Sequence, residues 1–330
     1  MKVLIITHQQ DTQGIHYVIC ALQQQGATVL RFDSDLYPAH IQLVSTYVNH
    51  QERLKFIYQG HELELTNFDA VWYRRMQVGR TLPVAMTTVH RALAVAEAET
   101  ALQQILGSWG KQRFVLDPVT HIRYAENKQL QLKIAQKVGL SVPATLVTNS
   151  VSEVRAFAQN YESVISKMQH SFSICENNGE EYQVYSHKWQ PQDLRNMEGL
   201  EWSPMTFQEY IPKAYELRVV VVGEQVFCGK IPSQQSVSGR TDWRKDRQLL
   251  GKITPYHLPD SVRLCLLKLM DFFKLNYGAI DLIRTPEGQY VFLEVNPAGE
   301  FCWLDEVFDH QIANAIAGVL MHALRRRSSK

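Results

Sequence analysis

The N-terminal part of the chain alternates between apolar runs of strand length and segments with helical spacing. "KVLIIT" predicts a buried strand, "IHYVICALQQQG" a helix that ends at Gly26, and "TVLRFDSD" a second strand. This strand–helix–strand order favours an α/β domain with a parallel pair of strands. A long helix is predicted over 84–106, where it would either serve a homodimer interface or pack inside the domain. G-x-G-x-x-G is absent, so the usual dinucleotide-binding signal is missing.

The pattern downstream predicts two further domains. "YAENKQLQLKIAQKVGL" predicts a helix that Gly139 ends, and the strands "VPATLVT" and "SVISKM" with a capped helix between them complete a small α+β unit. Beyond "MTFQEYI" strands dominate, as in "ELRVVVVG", "GAIDLI" and "YVFLEVN". We therefore predict an α/β domain over 1–116, a central α+β domain over 117–205 and a C-terminal domain with an antiparallel sheet over 206–330. The polar segment 233–248 is long enough to be a functional loop.

Composition narrows the class of protein. The chain has 34 basic and 33 acidic residues, which argues against a nucleic-acid partner, because phosphates are normally met by a basic excess. No apolar run approaches the roughly 20 residues that span a bilayer, and the N-terminal apolar hexamer is too short for a signal peptide, so no membrane partner is expected. The five cysteines are scattered without a C-x-x-C pair, which favours reduced thiols in a cytoplasmic protein.

A predicted hairpin near the C-terminus carries polar side chains on an apolar background. "GAIDLIRTPEGQYVFLEVN" predicts two strands joined by a turn at 285–288. Glu294 and Asn296 lie two residues apart and share a strand face, and folding the hairpin places Asp281 opposite a residue within about two of Glu294. Two such carboxylates repel unless a cation lies between them, and oxygen ligands of this kind suit Mg²⁺. The alternative is a solvent-facing polar face, which is the norm in antiparallel sheets.

Two cations interrupt apolar strands. Lys167 lies in "VISKM" and Arg218 in "ELRVVVVG", and a buried charge is costly unless it meets an anion or reaches water. The alternatives are an edge lysine that reaches solvent and, for Arg218, an ion pair with Glu216 on the same strand face. Lys128 and Arg244, taken alone, would be ordinary surface residues.

The order of these stretches is more specific than any one of them. "ENKQL", "ISKM", "FQEYI", "ELRVVVVG", "GAIDLI" and "FLEVNPAGEF" together resemble an ATP-grasp ligase over nearly the full chain. "VWYRRM", "SQQ", "DWRK" and "EVNPAGEFCWL" are similar to the graspetide synthetases of microviridin biosynthesis, and the first three look closer to the ester-forming kind. The resemblance implies a three-part ATP-grasp architecture, use of ATP and Mg²⁺, and a ribosomal precursor peptide with a helical leader as the partner.

The resemblance also implies roles for individual residues. Arg218 and Arg244 would be catalytic cations that face the γ-phosphate or the acyl phosphate. The Mg²⁺ ligands would be Asp281, Glu294 and Asn296. The ATP-binding residues would be Lys128 and Lys167 at the phosphates, Gln208, Glu209 and Ile211 at the adenine, and Glu216 at the ribose.

Two pairs of residues are candidates for contact with the peptide. Asp193 and Asn196 in "QPQDLRNMEGL" lie where the family contacts its leader, although "QPQDL" also suits the start of a helix. Arg74 and Arg75 would attract an acidic core peptide, and structural ion pairing is the alternative.

The implied activity is a ligation within the peptide. Asp or Glu side-chain carboxylates would be activated as acyl phosphates and joined to Thr or Ser hydroxyls, which gives macrolactone cross-links. The alternatives are a homologue that forms Lys–Asp/Glu amides, an amino-acid ligase that extends a protein or peptide carboxylate, and a nucleotide-binding module without catalysis. The predicted metal ligands together with two arginines argue against the last of these.

Overall fold

The computed structural model describes residues 1–65, 67–109, 113–169, 173–175, 181–183, 185–190, 194, 197–322, 324 and 327. Its helices are α1 (Gln13–Gln24), α2 (Thr88–Ser108), α3 (Val119–Ala125), α4 (Lys128–Lys137), α5 (Val151–Ala158), α6 (Asp260–Phe273), α7 (Cys302–Asp305) and α8 (Gln311–Leu320). Among these described residues, no helix is both long and apolar enough to cross a bilayer.

The N-terminal part contains a parallel sheet, as predicted. Its order is β2–β1–β6–β7, from Thr28–Asp33 (β2), Lys2–Thr7 (β1), Ala70–Tyr73 (β6) and Phe114–Leu116 (β7). Alternate residues of β1 enter two cores: Val3 and Ile5 pack with α1 and α8, whereas Leu4 and Ile6 pack with α2 and a second sheet. That second sheet is antiparallel and consists of β3 (Ile41–Val48), β4 (Gln51–Tyr58) and β5 (His61–Glu64).

The long predicted helix is α2, and it begins at Thr88 rather than at residue 84. The Thr87 hydroxyl sets this start, because it accepts a hydrogen bond from the His90 N–H and so caps the helix. The C-terminal half of α2 buries Ala98, Leu102 and Leu106 in the domain. Its N-terminal half is more exposed, and a homodimer interface there stays a prediction.

The central part is an antiparallel sheet with a helix on one face. The strand order is β12–β9–β13–β8, from His187–Trp189 (β12), Val164–Lys167 (β9), Met205–Glu209 (β13) and Thr145–Thr148 (β8). A separate hairpin joins β10 (Ser173–Cys175) and β11 (Glu181–Gln183). The Ser150 hydroxyl caps α5, which packs Val154 and Ala158 near Phe207 of the sheet.

The C-terminal part is the predicted antiparallel sheet. Its order is β16–β15–β14–β17–β18, from Thr254–Pro255 (β16), Gln225–Ile231 (β15), Tyr215–Val222 (β14), Tyr277–Arg284 (β17) and Tyr290–Asn296 (β18). Val219 and Val221 of β14 face a core with α6, whereas Val220 and Val222 face a core with α8. Both faces of β14 are therefore buried, which explains its uninterrupted run of valines.

Helices α3 and α4 pack on the C-terminal sheet, although the sequence-based division placed them in the central domain. Ala125, Ile134 and Ala135 belong to the same core as the strands β14 and β17. The Gln131 amide, which is almost fully buried, also bonds both the N–H and the carbonyl of Val295 in β18. The predicted boundaries at 116 and 205 stay a proposal, and this packing favours a central unit that begins near β8.

Asp117 ties the N-terminal part to β17, and we expect Asp117→Asn to destabilise the fold. Its buried carboxylate accepts hydrogen bonds from the backbone N–H groups of Asn276 and Tyr277 and from the Asn276 amide. Asparagine has one acceptor oxygen and would turn N–H groups toward these donors. At pH 7 the free energy of unfolding, measured by denaturant titration, should fall by about 1–3 kcal/mol. Asp260→Asn, at an exposed surface pair, should change it by less than about 0.5 kcal/mol.

The pH dependence of unfolding gives a second check on Asp117. Burial raises the pKa of this carboxyl to about 6, and the hydrogen bonds from Asn276 and Tyr277 oppose that rise. The folded state therefore holds the proton more tightly than the unfolded chain, so this group's contribution to stability falls as the pH rises from about 4 to about 6. We expect this component of the pH profile to disappear in Asp117→Asn; an unchanged profile would contradict the assignment.

Candidate active site

The hairpin of β17 and β18 brings the three predicted metal ligands together. Asp281 lies directly opposite Glu294, and Asn296 lies opposite Ala279, so the predicted hairpin is confirmed. The pairing slips between Asp281 and Leu282 and leaves Leu293 as an extra residue in β18. Because of this bulge, Leu293 and Glu294 both line the same cleft, while the next residues on either side return to the core.

Each carboxylate of this set faces a cation. Both oxygens of Asp281 accept hydrogen bonds from Nη1 of Arg218, at 2.9 Å each, and Glu294 accepts one from Lys128. Burial opposes the ionisation of Glu294, but the ammonium groups of Lys128 and Lys167 outweigh it and lower its pKa to about 2. Glu294 therefore stays ionised in a cationic cleft, and Asp281 and Glu294 both line this cleft rather than an open solvent-facing strand face.

Lys128 and Lys167 approach this cleft from different parts of the fold. Lys128 is the first residue of α4, and Lys167 is the last residue of β9 in the central sheet. Burial lowers the pKa of Lys167, an effect that the nearby Lys128 reinforces and Glu294 opposes. A desolvated ammonium of this kind is stabilised by an added anion, which suits a phosphate group.

The residues predicted to bind adenine lie at the end of β13 and line the same cleft. Gln208 is buried, and its amide donates to the Thr145 hydroxyl at 3.0 Å. The Glu209 N–H is bonded to the Ala144 carbonyl, and the Glu209 carboxylate accepts from the Ala144 N–H. The contact with adenine through the main chain of Glu209 and Ile211 stays a prediction.

Glu216 and Arg218 share a strand face but have different partners. Glu216 pairs with Lys213 at 2.7 Å, whereas Arg218 pairs with Asp281 across the sheet. The alternative of an ion pair between Glu216 and Arg218 is therefore wrong. Burial raises the pKa of Glu216, against the attraction of Lys213. Both residues line the cleft, and the ribose contact predicted for Glu216 stays a prediction.

Arg218 is a buried cation that lines the cleft, and its predicted catalytic role stays a prediction. Its side chain is almost fully buried, with its guanidinium 5.8 Å from the Trp303 ring centre and its Nη2 bonded to the Glu300 carbonyl. Nε of Arg218 is buried and has no hydrogen-bond partner among the residues that the structure describes. The proximity of Asp281 outweighs the effect of burial and raises the pKa of Arg218, so its charge is permanent.

Arg244 lies in the predicted functional loop, which the structure folds into short 3₁₀ turns. Asp242 accepts hydrogen bonds from Nε and Nη2 of Arg244, at 2.8 and 2.6 Å, and raises its pKa. The guanidinium also lies 5.8 Å from the ring centre of Tyr185, which precedes β12 of the central sheet. The loop thus reaches across the cleft, as a covering segment would. Arg244 is half-exposed rather than fully solvated, and its catalytic role stays a prediction.

Arg74 and Arg75 contact the loop that follows the predicted metal ligands. Arg74 is only 1% exposed and donates to the carbonyls of Ala298 and Gly299, so its contacts favour the structural alternative. Arg75 is partly exposed, donates to the Ala298 carbonyl and pairs with Glu300. Contact with the peptide stays a prediction for Arg75. Asp193 and Asn196, predicted to contact a leader, lie outside the described residues.

Several residues of the cleft were not predicted. Lys213, Asp242 and Trp303 all line it and hold a predicted residue in place. Of these residues, Asp242 alone could have been predicted from the local sequence. It precedes "WRK" and caps that turn by accepting a hydrogen bond from the Arg244 N–H. The others act through contacts that no local pattern indicates.

The cleft has a volume of about 660 Å³ and runs between the central and C-terminal sheets. That volume suits a nucleotide-sized ligand. No group of three or more His, Cys, Asp or Glu side chains that could hold a metal occurs in the described part of the chain. The set of two carboxylates and one amide nevertheless fits Mg²⁺, which usually binds one or two carboxylates and completes its shell with phosphates and water.

Comparison with known proteins identifies the class. Residues 2–123 match the MvdD pre-ATP grasp domain, and residues 125–320 match the RimK-like ATP-grasp domain. The chain is 35% identical to a RiPP-associated ATP-grasp ligase of Chryseobacterium gregarium, solved with ADP and a leader and core peptide, with a TM-score of 0.93 and coverage of 99% of this chain and 98% of that one.

Macrocyclases from Microcystis aeruginosa are similarly related. MdnC, solved with the precursor peptide MdnA, is 38% identical with a TM-score of 0.88, over 98% of this chain and 100% of that one. MdnB is 34% identical with a TM-score of 0.79, over 97% and 98%. The chain therefore belongs to the ATP-grasp ligases, within the microviridin-type graspetide synthetases, so the predicted family is confirmed. Use of ATP and Mg²⁺ is typical of that family.

A curated relative is more distant. The α-aminoadipate–LysW ligase LysX of Sulfurisphaera tokodaii is 25% identical over 186 residues, which are 53% of this chain and 60% of LysX. The chain thus spans less than two thirds of the length of this relative, and the match adds support for the ligase domain alone.

Proposed function

We propose that the protein is a peptide macrocyclase that activates Asp or Glu side chains of a ribosomal precursor peptide with ATP. The observation that carries this proposal is the full-length similarity to MdnC, a macrocyclase solved with its precursor peptide. The cleft supports it, because the described residues combine lysines for phosphates, paired carboxylates and two arginines at one end.

The residues of the chain suit a two-step ligation. A peptide carboxylate attacks the γ-phosphorus of ATP, ADP leaves, and an acyl phosphate forms on the peptide. Arg218 and Arg244 stabilise the charge of the transferred phosphoryl group, and Lys128 and Lys167 hold the phosphates. Mg²⁺, held by Asp281, Glu294 and Asn296, would neutralise charge on the phosphate oxygens.

A hydroxyl of the same peptide then attacks the acyl carbon and releases phosphate, which closes an ester ring. We propose the ester rather than the amide because "VWYRRM" and the pair "SQQ" and "DWRK" look closer to the ester-forming kind. The loop that carries Arg244 would exclude water, which would otherwise hydrolyse the acyl phosphate. The described cysteines Cys20, Cys228, Cys265 and Cys302 are free thiols, which fits the proposed action in the reducing cytoplasm.

The test is incubation with Mg²⁺–ATP and the precursor peptide MdnA. We expect ADP release and the loss of one water per cross-link by mass spectrometry. Hydroxylamine should open the product, because it cleaves esters and spares amides. A product that resists hydroxylamine would support the Lys–Asp/Glu amide alternative.

Two other outcomes would contradict cyclisation. A gain in mass in the presence of free amino acids would favour a ligase that extends a carboxylate, the reaction class suggested by the name of LysX. ATP binding without ADP release on any peptide offered would favour a module without catalysis. An incubation without ATP serves as the control in each case.

A further inference from the structure

A second cavity of about 370 Å³ adjoins the cleft. Arg75, Glu126 and Ala298 line both spaces, so the two meet at the loop that follows the metal ligands. Under the proposed function this is the end of the cleft that holds the phosphates, where the peptide carboxylate arrives. A side chain of the peptide that entered the second cavity would therefore lie close to the carboxylate that is activated.

The lining of this cavity combines an apolar wall with donors of hydrogen bonds. Val119 and Ile122 of α3 form part of the wall, and Arg75, Arg123 and Tyr73 add two guanidinium groups and a phenol. Burial raises the pKa of Tyr73, so its hydroxyl keeps its proton and remains a donor. A ligand that packs methylene groups against this wall and accepts hydrogen bonds from these donors with a carboxylate has the chemistry of an Asp or Glu side chain.

Three arginines line the cavity and differ in their availability: Arg74 is almost fully buried and is already bonded to the carbonyls of Ala298 and Gly299 and paired with Glu300. Arg123 is exposed and has no ion-pair partner among the residues that the structure describes. Arg75 already pairs with Glu300, which lines the main cleft and not the second cavity, so its guanidinium is able to bind a carboxylate where the two spaces meet. Glu126 adds a negative charge to the lining, which disfavours a phosphate dianion relative to a single carboxylate.

We propose that the cavity lined by Tyr73, Arg75 and Arg123 binds a second acidic side chain of the peptide while the first is activated in the cleft. This proposal rests on the proposed function and adds to it a site for substrate recognition. It assigns Arg123 as a specificity residue, and it makes Glu300 the internal group that the incoming carboxylate replaces on Arg75.

The test measures binding, so that it does not depend on ligation. The probe is the core peptide that was seen with the Chryseobacterium ligase, labelled for fluorescence anisotropy, beside a version with every Asp and Glu changed to Asn and Gln. Arg123→Gln should raise the Kd of the acidic peptide about tenfold, the size expected for one charge-assisted contact, and leave that of the amide version unchanged. Tyr73→Phe should give a smaller change in the same direction.

The matched control is Arg53→Gln, at an exposed arginine on β4 outside both linings. It should bind both peptides as the wild type does, and thermal melts should show that all three variants fold. Equal effects of Arg123→Gln on the two peptides, or no effect on either, would overturn the proposal. If Arg123→Gln cross-linked MdnA with an unchanged KM, the proposed role of the cavity would be wrong and the proposed function would stand. If Arg123→Gln selectively lost binding of the acidic peptide but the wild-type enzyme formed no cross-links, the role of the cavity would stand and the proposed function would be wrong.

Discussion

Replacement of Glu294 by glutamine is expected to lower Mg²⁺-dependent ATP consumption about a hundredfold or more. Glu294 faces Asp281 across the hairpin and contacts Lys128 and Asn296. Glutamine keeps the size of the side chain but removes the charge that a divalent cation needs. It also leaves the Lys128 ammonium without the anion that it contacts. The measurement is the rate of ADP release over a range of Mg²⁺ concentrations with saturating peptide.

The hairpin offers its own control for this experiment. Glu287 is an exposed glutamate in the turn at the far end of the same two strands, and Glu287→Gln should keep the wild-type rate. Partial rescue of Glu294→Gln by high Mg²⁺ would support the metal assignment, because added ion compensates for weakened binding. Full turnover at ordinary Mg²⁺ would contradict it.

Arg218→Lys is expected to lower kcat about a hundredfold or more, with a much smaller change in the KM for ATP. A lysine ammonium keeps the positive charge, but it cannot hold Asp281 and reach the transferred phosphoryl group at the same time, as the planar guanidinium can. The stabilisation that is lost belongs to the transition state, so the effect should appear in kcat. Steady-state ADP release at saturating peptide gives both constants.

Arg284→Lys is the matched control for Arg218→Lys. Arg284 lies on β17 of the same sheet, next to the ring of Tyr290 and outside the lining of the cleft. Its replacement should leave kcat within a few-fold of the wild type. If Arg218→Lys raised the KM for ATP and left kcat intact, Arg218 would be a ground-state binding residue and its proposed catalytic role would be wrong.

The fold was predictable where a local rule sufficed. Period-two alternation and the turn at 285–288 predict the hairpin and bring Asp281 close to Glu294, because strand pairing follows directly from the loop. The parallel N-terminal sheet and the antiparallel C-terminal sheet follow in the same way from segment order. The bulge at Leu293 was not predictable, since nothing in its own sequence marks it.

The hydrogen-bond and ion-pair partners of the charged side chains could not be predicted from the sequence, for a different reason. Arg75 and Glu300 are more than two hundred residues apart in the chain, and so are Arg74 and the Ala298 carbonyl to which it donates. Only the tertiary fold brings these partners together. The packing of α3 and α4 on the C-terminal sheet could not be predicted for a similar reason. Their apolar faces fit a helix on any sheet, and the choice of the C-terminal sheet depends on contacts such as that of Gln131 with Val295.

The Gln131 contact has a consequence for building chimeras of related enzymes. It fixes Lys128 and the strand of Glu294 and Asn296 in one block, whereas Lys167 belongs to the central sheet. A transplant of 143–209 from a relative would therefore exchange Lys167 and strand β13 and leave Asp281, Glu294 and Asn296 in their native setting. A transplant cut at residue 117 would instead replace Lys128 and Gln131 together with Lys167, and the contact between α4 and its native strand β18 would be lost.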